Sequence, residues 1–238
     1  NGDQQTFPKL LRKKGYATAM VGKWHLGSKP QGFDYWNVLP GQGHYYNPSF
    51  IKMGRDTSYQ GYVTNVITDL ALEWIDENKE APFCMMLHHK APHRNWMPSQ
   101  KYLTAFNDRE FEPPHNYYDD YKGREALQRA KITVHDQFNI LYDGKVPCEK
   151  CPVDPVNHWC EREWKREFSR LSDKQEKKKK KAYQQEYEAF DYSSMNTKEL
   201  SQWRFQRYME DYLRCIRSVD DNVGRVLEYL RKNNLMEN

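Results

Sequence analysis

Residues 15–27, GYATAMVGKWHLG, hold an apolar run that ends in glycine and then sets a lysine and a histidine two positions apart. The spacing predicts a strand over Tyr16–Val21. Open α/β sheets place their sites where strand ends feed loops, so a strand exit marked with polar groups bears on both the fold and the site. In an extended segment Lys23 and His25 project from one face, where an ammonium and an imidazole converge on one anion, while Trp24 points into the core. Gly22 and Gly27 let the backbone turn tightly beside a ligand. By spacing alone, a lysine and a histidine this close together are more often ordinary surface residues.

The flanks extend the pattern. Upstream, Thr6 is placed to cap a short helix with Pro8 in its first turn, and Lys13, Lys14 and Gly15 supply stop signals. Downstream, Val63, Val66, Ile67, Leu70, Ala71, Trp74 and Ile75 recur at three- and four-residue steps. They predict a helix with one buried face, while Thr64, Asn65, Asp69, Glu73 and Asp76 face away. After Pro82, Phe83–Leu87 reads as a strand covered on both faces. This order predicts an α/β sheet with flanking helices.

From about Lys101 to Met195 the pattern weakens, and irregular surface structure is expected. Residues 161–190 are rich in helix formers and predict an exposed helix or a charged hairpin. Within them Lys177–Lys181 reads as a solvated helix face rather than a polyanion contact, because Glu176, Glu186 and Glu188 dilute its field. A last helix is expected through Tyr212, Ile216, Val219, Val223, Val226, Leu227 and Leu230, stacked as one apolar stripe.

Composition bounds the function. At 238 residues one domain, or part of a larger one, is expected, and 38% hydrophobic with 14% aromatic residues supplies a core. A net charge of +4 from 37 basic and 33 acidic residues is too balanced to make nucleic acid the default partner. No apolar run reaches the length of a membrane span, and residues 1–20 lack the features of a secretory signal. Because the sequence opens at Asn1 without Met and stops just after a helical pattern, both ends are expected to be cut.

A second chemical signal is residues 87–98, LHHKAPHRNWMP, again after a strand. His88, His89, Lys90, His93 and Arg94 suit a sulfate, phosphate or carboxylate. A metal site is the competing reading, but adjacent His88 and His89 point to opposite faces of a strand and no acidic residue lies nearby. One of those two histidines is equally read as buried and satisfied by a backbone carbonyl. Cys148, Cys151, His158 and Cys160 offer four zinc ligands at unusually short spacing, and a disulfide or free thiols remain open there. Cys84 and Cys215 read as small core residues.

These motifs resemble a known family. GYATAMVGKWHLG is similar to the second signature of the type I sulfatases, and APHRNWMP to the segment carrying that family's sulfate-contacting histidine. PGQGHYYNPSFI, YQGYVTNVITDLALEWI and YMEDYLRCIRSVDDNVGRVLEYL resemble stretches of bacterial N-acetylglucosamine-6-sulfatases and mucin-desulfating enzymes. The likeness covers residues 6–125 and 203–232; residues 126–202 match poorly.

The resemblance implies an alkaline-phosphatase-like fold, here incomplete. Residues 1–238 would form a partial catalytic domain with an irregular charged insertion at about 126–202. It also implies sulfate-ester hydrolysis with calcium and a formylglycine nucleophile. Carried over residue by residue, Lys23 would bind a sulfate oxygen, His25 would orient or deprotonate the nucleophile, and His93 would contact sulfate or protonate the leaving sugar oxygen. His89, Arg94, Asn95 and Trp96 are candidates for holding the sugar, although the last three read equally as packing residues.

The sequence also departs from the family. None of Cys84, Cys148, Cys151, Cys160 or Cys215 starts the C/S-x-P/A-x-R pattern of the nucleophile, and the calcium-binding acidic residues would lie outside this chain. An internal fragment, inactive alone, is therefore expected. Its longer parent would act on a sulfated carbohydrate in the periplasm or outside the cell, most plainly 6-O-sulfated N-acetylglucosamine of mucin or glycosaminoglycan. A phosphatase or phosphonate hydrolase of the same superfamily, or a noncatalytic anion- or glycan-binding module, are the rival expectations. The sequence does not fix the oligomeric state.

Overall fold

The computed structural model describes residues 2–130, 132–147 and 158–237, which divide into two units: residues 1–92 with 217–238, and residues 93–216.

The first unit starts with helix α1, Phe7–Lys13, with Pro8 in its first turn and Arg12 and Lys13 in its last. Thr6 occupies the expected cap position, but its side chain makes no capping hydrogen bond. Strand β1, Ala17–Lys23, follows, then β2, Tyr35–Leu39, β3, Ser49–Lys52, and β4, Arg55–Ser58. Helix α2, Val63–Asn78, leads into β5, Phe83–His88. The sheet order is β4-β3-β2-β1-β5. β1 is parallel to β2 and β5, while β3 and β4 are antiparallel additions joined by a turn in which Met53 and Gly54 both have positive φ, as primed hairpin turns require.

Alternation along β1 builds two apolar layers. Ala19, with Ala17, Met85, Phe83 and Tyr35 around it, meets Trp74 and Ile75 of α2 on one face. Met20 packs with Phe33, Trp36 and Val38 on the other, joined by Trp24, Ile51 and Met86. The expected face of α2 is buried throughout, from Val63 to Ile75. β5 departs from expectation: it is half-buried along its length, because it forms one edge of the described sheet.

Helices α3, Glu125–Ala130, α4, Val134–Gln137, α5, His158–Phe168, and α6, Asp173–Ala189, lie in the second unit, and α7, Thr197–Lys232, runs on into the first. Residues expected to be a charged helix or hairpin are thus largely helical, with α6 started by a capping box in which Ser172 and Gln175 bond reciprocally. Four of the five consecutive lysines are exposed, as a solvated face requires, but Lys179 is buried with its ammonium beside the rings of Trp164, Phe168 and Tyr183.

The second unit has a charged centre. Asp211 is 1% exposed and accepts from Lys145 (2.9 Å), Arg214 (2.9 Å), Tyr183 (2.7 Å) and Arg207. Burial works against its charge, yet Arg207, Lys145 and Arg214 together hold its carboxyl far below the usual range.

This charged centre explains why α7 defies its apolar pattern. Val223 and Leu227 of the expected stripe are exposed, whereas Arg207, Asp211, Arg214, Ser218 and Asn222 are buried. Asn222 donates to Asn65 of α2 (2.8 Å), and Arg225 pairs with Asp69 (2.5 Å). The side of α2 expected to face solvent is therefore met by the last turns of α7. Among the described residues no helix is long and apolar enough to cross a membrane.

Candidate functional site

The parallel pairing of β2, β1 and β5 brings their C-terminal ends to one edge, with Lys23 opposite Leu39 and Gly22 opposite His88. Gly22 permits that register. Its φ is +108°, and a Cβ placed there would lie 1.9 Å from the His88 carbonyl oxygen, so only glycine lets β1 and β5 approach this closely. His88 then donates from Nδ1 to the Lys23 carbonyl oxygen (3.2 Å), tying the two strand ends together.

Beyond Lys23 the chain leaves the extended conformation: His25 has φ +43° and is exposed. The two side chains still meet a common partner. Lys23 Nζ donates to Gln42 Oε1, and Gln42 Nε2 lies 3.3 Å from both ring nitrogens of His25. Trp24 takes the other direction as expected, packing beside the Met20 layer with its indole N–H on the Ser28 carbonyl (2.6 Å). Among the described residues, none of the hydrogen bonds or ion pairs of Lys23, His25 and Gln42 involves a carboxylate. Burial holds the Lys23 ammonium below the ordinary lysine range. A partly desolvated cation beside an imidazole and an amide, with no counter-charge, suits an incoming anion.

The loop after β5 carries the second signal. The residue satisfied by a backbone carbonyl is His88, whereas neither of the buried ring nitrogens of His89 finds a hydrogen-bond partner among the described residues. Burial, with the neighbouring His88 as a smaller cause, lowers its pKa to about 4, so it is neutral at physiological pH. Lys90 is buried with its ammonium 4.5 Å from the centre of the Tyr45 ring.

His93 opens the second unit; it is exposed and donates from Nδ1 to the Arg94 carbonyl (2.5 Å). Arg94 grips buried Asp143 through Nε (2.6 Å) and Nη2 (2.5 Å). Asn95 is 1% exposed and donates to the Tyr142 carbonyl (3.2 Å). Trp96 packs on Phe138, Tyr208 and Tyr212. Asn95 and Trp96 thus both make contacts within the second unit. A cavity of about 340 Å³ elsewhere in this unit, bordered by Trp203, Arg207 and Arg214, contains none of the predicted residues.

Gln42 is the site residue that sequence reasoning misses. Glycines on both sides of it are a turn signal, but only the strand order shows that this turn follows the strand beside β1.

Calcium and formylglycine find no fit here. Among the described residues no three His, Cys, Asp or Glu side chains gather in a way that could hold a metal. Cys84 lies inside β5, and Cys160 and Cys215 are buried and in no disulfide. Cys148, Cys151 and the His158 side chain lie outside the described residues.

Comparison with known proteins identifies the family. The chain is 42% identical to an N-acetylglucosamine-6-O-sulfatase of Bacteroides thetaiotaomicron, over all of its own length and 43% of that protein's. It is 30% identical to the N-acetylglucosamine-6-sulfatase of Capra hircus over 44% of this chain and 22% of that one. Among solved structures, one of a protein in complex with its substrate D-glucosamine-2-N,6-O-disulfate superposes with a TM-score of 0.87 at 42% identity, covering 98% of this chain and 47% of the other. The chain thus spans less than half the length of these relatives. The α/β architecture is that of the alkaline-phosphatase-like sulfatases. The sulfatase family profile matches residues 1–238, and the chain belongs to that family.

Proposed function

We propose that these residues form the cationic half of a site that hydrolyses sulfate esters on carbohydrates, with 6-O-sulfated N-acetylglucosamine units as substrate. The observation that carries the reading is the strand-edge cluster of Lys23, His25 and Gln42, which presents a cation without a carboxylate partner among the described residues. Cleaving a sulfate ester crowds negative charge onto the transferring group and the departing sugar oxygen. Lys23 binds one sulfate oxygen and offsets that charge, and His25 lies beside it as a second polar contact or proton acceptor. His93 contacts the sulfate or protonates the leaving oxygen, a role supported by its place in the family-like APHRNWMP segment.

The nucleophile and the calcium ligands come from further chain, which the coverage of the relatives supports. Calcium would neutralise sulfate charge and formylglycine would supply the attacking oxygen; neither has a holder among the described residues. Export to the periplasm or the exterior belongs to the same reading, because sulfated mucins and glycosaminoglycans are polymers that cannot cross a membrane unaided.

The test is an assay of the complete gene product on 6-O-sulfated N-acetylglucosamine, its 3-O-sulfated isomer and the 6-phosphate analogue. Release of sulfate from the first substrate is expected. Turnover of the phosphate ester alone would make the protein a phosphatase, and binding without turnover would make it a glycan-binding module; either result overturns the proposal. The 238-residue chain by itself is expected to show no turnover.

A further inference from the structure

The turn after β2 is built to hold one side chain. In Pro40–Gly43 the Gly43 amide donates to the Pro40 carbonyl (3.0 Å), and Gly41 and Gly43 have φ of +55° and +67°. A Cβ on Gly43 would lie 2.7 Å from Leu39 Cδ1. Both neighbours of Gln42 thus take the left-handed conformation that favours glycine, and the turn follows directly on the strand that pairs with β1.

We infer that Gln42 is a positioning residue that sets Lys23 and His25 relative to one another before the anion arrives. This rests on the reading of those two side chains given above. The polarity of the contacts fixes the amide: an ammonium only donates, so Oε1 faces Lys23, and the amide N–H groups face whichever ring nitrogen of His25 accepts. Lysine has a long flexible stem and His25 is exposed, so each loses rotamer freedom when it is ordered against the reacting sulfate ester. A partner already bonded to both lowers that loss as the transition state forms, where the placement of the two groups counts.

The choice of glutamine over glutamate has a reason as well. A carboxylate at this place would bond Lys23 equally well but cancel its charge, and so compete with the substrate sulfate. The neutral amide orients the ammonium and leaves its charge uncompensated.

The experiment compares Gln42→Leu, Gln42→Glu and Lys23→Ala in the complete gene product, reading kcat and KM for the sulfate ester together with the thermal midpoint. Gln42→Leu should lower kcat about 10- to 100-fold with KM changed less than about threefold, the effect of a misplaced reacting group. Gln42→Glu should raise KM about tenfold through the added competing charge. Neither should move the midpoint appreciably.

If Lys23→Ala abolishes turnover while Gln42→Leu stays within twofold of the parent, the positioning role is wrong and the site reading survives. A loss in Gln42→Leu accompanied by a matching fall in midpoint would assign Gln42 to turn stability and likewise overturn the role. Undiminished turnover in Lys23→Ala would remove both the role and the site.

Discussion

Gly22→Ala is the perturbation whose cost the structure sets most directly. The new methyl group would lie 1.9 Å from the His88 carbonyl oxygen and 2.9 Å from its carbon, where an ordinary C···O contact is about 3.3 Å. β5 would therefore retreat by roughly 1.4 Å, enough to break about two ladder hydrogen bonds near the Gly22–His88 pair, each worth about 1 kcal/mol. Holding alanine at φ +108° adds about 1–2 kcal/mol, for a total of roughly 3–4 kcal/mol. Gly15→Ala is the control: its φ is +87° but nothing lies within 4 Å, so only the backbone strain remains. Urea unfolding of both variants followed by tryptophan fluorescence gives the comparison. A Gly22→Ala protein no less stable than Gly15→Ala, to within about 1 kcal/mol, would refute the close-approach argument.

Two further expectations concern stability. The folded state holds His89 neutral down to about pH 4, whereas its unfolded value is 6.5. The stability this neutrality protects is fully present above pH 6.5 and declines as pH falls from 6.5 to 4, by up to about 3 kcal/mol. His89→Gln should flatten the unfolding free energy across that window, and an unchanged slope would contradict the reading. Asp211→Asn would leave Arg207, Arg214 and Lys145 facing one another without their shared carboxylate, and should destabilise the second unit by about 3–5 kcal/mol in a denaturant titration. A loss below about 1 kcal/mol would show that the network tolerates an amide.

The core elements were legible in sequence because their burial is apolar. β1, α2 and β5 fall where the runs at Tyr16–Val21, Val63–Ile75 and Phe83–Leu87 put them. β2, β3 and β4 left a weaker trace: they are four or five residues long and separated by turns. α7 misled for the opposite reason. Its buried side runs through Arg207, Asp211, Arg214, Ser218 and Asn222, and a hydrophobic pattern reads such a polar face as solvent-facing. Lys179 hides in the same way, since its ammonium lies against aromatic rings that no local pattern announces.

At the site, Lys23 and His25 stood out because a strand exit with two polar groups is a local signal. Gln42 acquires its meaning only when β2 pairs with β1, which is a long-range fact. Asn95 and Trp96 are residue types apt for sugar binding, and the contacts that place them, with Tyr142, Phe138 and Tyr208, lie some 40 to 110 residues away in sequence, beyond any local pattern.

The most direct test of the account is the rate of sulfate release from 6-O-sulfated N-acetylglucosamine by the complete gene product with Lys23→Ala. Removal of a cation that meets the sulfate in the transition state predicts a fall in kcat of about 100- to 1,000-fold with the thermal midpoint retained. A rate within threefold of the unsubstituted protein would contradict it, because the strand-edge cation would then have no part in the reaction.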